Sequence, residues 1–78
     1  MATLSELEFA LKDLHESLYQ LRSVSTELRD AMDKEANDDT LRYLISKVNG
    51  WCAVVKTDRL AVQEAMKTLQ SGLIQEDV

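Results

Sequence analysis

Residues 4–32 read LSELEFALKDLHESLYQLRSVSTELRDAM, and the spacing of leucine in this stretch decides the fold. Leu4, Leu7, Leu11, Leu14, Leu18 and Leu21 follow alternating steps of three and four; Ser25 takes the next place, then Leu28 and Met32 complete the run. On an α-helix such steps place every one of these side chains along a single stripe, whereas a strand would scatter them over both faces. A stripe this long requires a second helix beside it. At about 1.5 Å per residue, thirty helical residues reach about 45 Å, and a chain of 78 residues has room for one return of that length. The reading is all-α: a long antiparallel helical hairpin, dimerising into a four-helix bundle.

The stripe consists of rows that repeat every seven residues. Leu4, Leu11, Leu18, Ser25 and Met32 form a first row, and Leu7, Leu14, Leu21 and Leu28 a second. Ala10, Ser17, Val24 and Ala31 form a third row of small side chains, which lets a neighbouring backbone come close. We take Leu7, Leu11, Leu14, Leu18, Leu21 and Leu28 as the self-association seam. Thr3 with Glu6, or Ser5 with Glu8, matches the capping-box spacing at the helix start. The helix is expected to span about 4–34. A turn follows at 35–38, because Glu35-Ala36-Asn37-Asp38-Asp39 offers no long apolar side chain and three residues able to cap the next helix.

The second helix, about 39–71, is read from Leu41, Leu44, Ile45, Val48, Trp51, Cys52, Val55, Val62, Ala65, Met66, Leu69 and Leu73. Its apolar face is broader than one neighbour would cover, which argues for a second hairpin or a heterologous partner. A break at Asn49-Gly50 or Thr57-Asp58 would instead give three helices. Gly50 is read as a point of close contact beside Trp51, Ser71-Gly72 as a helix stop, and Gln75-Glu76-Asp77-Val78 as a short acidic tail. The whole chain, 1–78, is one domain.

Composition narrows the function classes. Cys52 is the sole cysteine, so neither an internal disulfide nor a four-thiolate metal site can form. No leader peptide or membrane span is expected, and the expected location is cytoplasmic. The net charge of −5 is uneven: residues 1–39 carry ten acidic and four basic side chains (−6), residues 40–78 four acidic and five basic (+1). That asymmetry favours apposition of the halves and repels a phosphate backbone from the first helix.

No catalytic, cofactor or metal-binding residue is assigned. The chain lacks HExxH, CxxC and a glycine-rich phosphate loop, and it is not expected to be an enzyme. His15 has no second ligand at metal spacing, Cys52 reads as a small buried hydrophobe, and the acidic groups around the turn read as caps and solubilising charges. Candidates for contact with another molecule are Phe9 and Tyr19, off the stripe of the first helix, and Tyr43, Trp51, Val54 and Leu60 on the second. Phe9 and Tyr19 serve equally well as rim residues of a dimer, and Trp51 as an intramolecular core residue. The function expected is a small acidic regulator or inhibitor that occludes a surface of a larger protein. The alternatives are a co-chaperone or adaptor subunit that stabilises a cognate partner, and an RNA-binding hairpin using the sparse basic set that includes Lys56 and Arg59. A homodimer and a protein partner are expected; nucleic acid and membrane are not.

Overall fold

The computed structural model describes the backbone of residues 4–76 and the side chains of residues 4–71. Two helices, α1 (Leu4–Asp33) and α2 (Asp38–Glu76), form an antiparallel hairpin. The molecule measures 62 × 14 × 14 Å, and its radius of gyration is 17.8 Å. A compact domain of this length would have a radius near 11.5 Å, so the chain is a rod.

The turn is built from a helix stop and a helix start with little between them. At the end of α1, the amide of Ala36 donates to the carbonyl of Ala31 (2.9 Å) and that of Glu35 to Met32 (3.1 Å). These are the two bonds of a Schellman motif, which needs a left-handed residue after the helix. Glu35 occupies that position with φ 54°, where glycine is the common choice. Asn37 then caps α2, its Oδ1 accepting from the amide of Thr40 at 2.9 Å. The connection is thus the expected glycine-free return, with Asn37 as the residue that caps.

α2 runs unbroken through Asn49-Gly50 and Thr57-Asp58. Thr57 lies within the helix, its hydroxyl donating to the carbonyl of Ala53 at 3.2 Å. Gly50 costs its helix about 1 kcal/mol relative to alanine, too little to break an element anchored on both sides by Leu44, Val48, Trp51 and Val55. The close contact read at Gly50 is not there: a Cβ built on it would meet nothing within 4 Å. The helix also continues past the expected stop at Ser71-Gly72 to Glu76. Neither residue removes an amide donor, and a single glycine cannot end a helix on its own.

The core between the helices is thin. Val24, Leu44 and Val62 are its buried apolar side chains, with Ser17 among them at 2% exposure. Ser17 is satisfied locally, its hydroxyl donating to the carbonyl of Leu14 at 3.1 Å. Leu7, Leu14, Leu21 and Leu28 from α1, and Leu41, Val48, Trp51, Val55 and Leu69 from α2, are only half-buried. The accessible surface is 6319 Å², against about 4,800 Å² for a globular monomer of 8.8 kDa. Much of what should be core faces solvent.

Candidate functional site: an open apolar face

The third row of α1, small at Ala10, Ser17 and Ala31, lets α2 settle between it and the second row. The first row lies about 60° around the helix from the second and is therefore turned away from α2. Leu7, Leu14, Leu21 and Leu28 pack in the hairpin, while Leu11 and Leu18 stand 47% exposed with Leu4 and Met32 still more so.

α2 carries a matching row. Leu41, Val48, Val55, Val62 and Leu69, with Leu44, Trp51 and Ala65, face α1; Ile45, Cys52, Arg59 and Met66 flank them. Ile45 and Met66 are about half exposed, and Cys52 is exposed, which overturns its assignment as a buried hydrophobe. Cys52 follows the apolar rhythm of α2, but one row outside the part that α1 covers.

Two contacts fix which edges of the helices coincide. Leu4 and Leu7 line one shallow apolar groove with Met66, Leu69 and Gln70. Glu27, flanking the third row of α1, meets Lys47 of α2 at 3.7 Å. One long side of the hairpin is therefore the polar Glu27–Lys47 edge. The other brings the exposed row of α1 and the exposed row of α2 together in a single apolar face, interrupted by Ser25 and Arg59.

The side chains bordering this face carry more positive than negative charge. Glu8, His15, Arg22 and Arg29 follow the first row on α1, and Arg42, Asn49, Lys56, Gln63 and Gln70 follow Ile45's row on α2; all are exposed. The acidic groups Asp13, Glu16, Glu27 and Asp30 lie around the polar edge and back of α1. Of the basic residues of α2, Arg42, Lys56 and Arg59 lie on or beside the apolar face, Lys47 on the opposite edge, and Lys67 on the back. Lys47 is also held over the Tyr43 ring at 5.5 Å.

The remaining candidates sit away from this face. Phe9, Tyr19 and Tyr43 leave about two-thirds of their surface exposed, Phe9 and Tyr19 on the back of α1 and Tyr43 on the outer side of α2. Tyr19 borders a shallow groove with Arg22, Ser23, Thr26, Glu27 and Asp30. Leu60 is exposed on the back of α2, and Val54 on the Lys47 edge. Trp51 is half-buried against α1, in its intramolecular role. His15 is exposed. Among the described residues no group of His, Cys, Asp and Glu side chains is arranged to hold a metal ion, and no buried side-chain polar atom lacks a partner. No helix among them is long and apolar enough to cross a membrane.

No family model, curated protein or solved structure matches this chain.

Proposed function

We propose that this chain is a protein-binding regulator: two hairpins join through the open apolar face into a four-helix bundle, and the outer aromatic surface docks on a larger protein and occludes it. The observation that carries the proposal is the separation of two kinds of exposed apolar residue. The aliphatic rows form one strip with the shape of a bundle interior, broken at Ser25 and Arg59. The aromatic side chains Phe9, Tyr19 and Tyr43 lie elsewhere and stay exposed once that strip is covered.

Association through the strip supplies what the hairpin lacks. It turns Leu11, Leu18, Ile45 and Met66 inward beside the half-buried Leu7, Leu14, Leu21 and Leu28, so that leucine from both rows of α1 meets at the bundle centre. Large exposed aromatics are common anchors of protein interfaces, and the Tyr19 groove offers both a guanidinium and carboxylates for polar contacts around its ring. The acidic side chains on the back of α1 would steer that surface toward a basic target. Regulation would act by steric occupancy, without chemistry on the target, and a cytoplasmic protein is the target expected.

The test is affinity capture from host lysate with the parent and with Phe9→Ala/Tyr19→Ala. The parent should retain a stoichiometric protein that the variant loses, while circular dichroism of the two is the same. Equal capture by both, or capture of nothing by the parent, would overturn the reading.

A further inference from the structure

The open face has a shape and a charge order that distinguish the two symmetric ways of covering it with a second copy. It runs along a hairpin 62 Å long and 14 Å across, and Leu4, Leu11, Leu18, Met32, Ile45 and Met66 on it are each about half exposed or more. A two-fold axis lying in this face has two choices. Along the hairpin, it sets turn against turn and α1 on the second copy's α2. Across the hairpin, it sets the turn of one copy over the open end of the other and α1 on α1.

Turn against turn fails on charge. Because the helices are antiparallel, with Glu27 beside Lys47 and Leu4 beside Met66 and Leu69, Arg29 of α1 and Arg42 of α2 stand at the same level of the hairpin. Setting α1 on the partner's α2 brings Arg29 near the partner's Arg42, twice by symmetry. It also sets Leu11 beside the partner's Arg59.

The crossed arrangement removes these conflicts. Running α1 antiparallel to its copy about Leu18 opposes Glu8 and the partner's Arg29, again twice. His15 meets the partner's Arg22. Within the strip, Leu18 meets its own copy, Leu4 meets the partner's Met32, and Leu11 meets the partner's Ser25, so the one small residue of the row faces a large one. On the second helix the flanking row, Arg42, Asn49, Lys56, Gln63 and Gln70, holds no acidic side chain, so the opposite-charge pairing is made by α1 alone.

We infer that a second copy of this chain covers the open face head-to-tail, α1 against α1, with Leu18 at the two-fold axis and Glu8 of each copy against the partner's Arg29. This rests on the self-association proposed above and adds its orientation. The paired carboxylate and guanidinium stand about 32 Å apart along each α1, so they fix the register from both ends while the apolar strip supplies the affinity.

Two measurements test it, both made on the full chain. In a Cys52→Ala background, Leu18→Cys should cross-link to its own copy under mild oxidation, giving a covalent dimer. Charge reversal is the second: Glu8→Arg alone and Arg29→Glu alone should each weaken dimerisation roughly tenfold or more, and the double reversal should restore it, since two exposed pairs become two repulsions and then pairs again. A parent that sediments as a dimer yet gives no Leu18→Cys cross-link, with reversals that leave its affinity unchanged or raise it, would overturn the orientation and leave self-association standing. A parent that stays monomeric at every concentration would overturn both.

Discussion

Gly50→Ala isolates the continuity of α2 in a single substitution. Gly50 is helical and exposed, and does not need the left-handed backbone that only glycine adopts freely. A methyl group there would enter open space, since nothing lies within 4 Å of the Cβ position. No steric cost therefore opposes the gain in helix propensity, about 0.8–1.0 kcal/mol, much of which comes from restricting the unfolded chain. In a domain of this size 1 kcal/mol raises Tm by roughly 4–8 °C, and at a urea m-value near 1 kcal/mol/M it moves the midpoint by about 1 M. The assay is urea and thermal unfolding followed by circular dichroism, with parent and variant at one protein concentration, because association couples to stability. Gly50 shares its row with Tyr43, Thr57 and Glu64, away from the open face, so dimer affinity should not change. A neutral or destabilising Gly50→Ala would mean that α2 bends there or that another surface packs on the glycine, and the straight hairpin would be refuted. A stability gain with lost dimerisation would put Gly50 inside the interface instead.

Three further substitutions test the turn and the thin core. Glu35→Gly relieves a left-handed side-chain residue at a cost otherwise of about 1–2 kcal/mol; after the greater freedom of the unfolded glycine chain is subtracted, a gain of roughly 0.5–1 kcal/mol should appear in the same urea titration. Asn37→Ala removes the acceptor for the Thr40 amide and should cost about 1 kcal/mol, read as a lower thermal midpoint. Ser17→Leu forces a large side chain into the closest approach of the helices, where Ser17 is 2% exposed, and should destabilise by about 1–3 kcal/mol. A variant of unchanged stability would mean that the third row does not face α2.

The hairpin was legible because its signals are local. A three-four leucine rhythm, an apolar-free turn with Asn37 to cap, and a second helical period can each be read without knowing what touches what. The rotation of α1 was not legible from leucine alone. The rhythm gives a stripe wider than one contact, and it is the small third row that decides which part of the stripe α2 covers. Ala10, Ser17 and Ala31 carried that signal, but weight given to leucine spread the seam over both large rows. Cys52 was misjudged for the same reason, since period alone cannot separate a residue under α1 from one in the row beside it. The assignment of Gly50 to a close contact used composition where only coordinates could say what stood opposite. Ser71-Gly72 was read as a stop because glycine commonly ends helices, yet without a following proline or competing cap the backbone simply continues.

The candidate surfaces divide along similar lines. Phe9, Tyr19, Tyr43, Val54 and Leu60 could be named from the sequence because each falls outside the apolar rhythm, and each is exposed. Trp51 falls inside the rhythm and is half-buried. The opposition of Glu8 and Arg29 could not be read until the first row was known to be uncovered, because the charges matter only where a second copy can reach them.

Sedimentation equilibrium of the parent beside Leu18→Asp tests most directly whether the open face is closed by a second copy. The parent should sediment at twice the 8.8 kDa of one chain. Leu18→Asp should sediment as a single chain that keeps its helical circular dichroism, because Leu18 is 47% exposed in the hairpin and a carboxylate is intolerable only where it would be buried without a partner. A parent of 8.8 kDa, or a Leu18→Asp variant that still sediments as the dimer, would contradict the bundle.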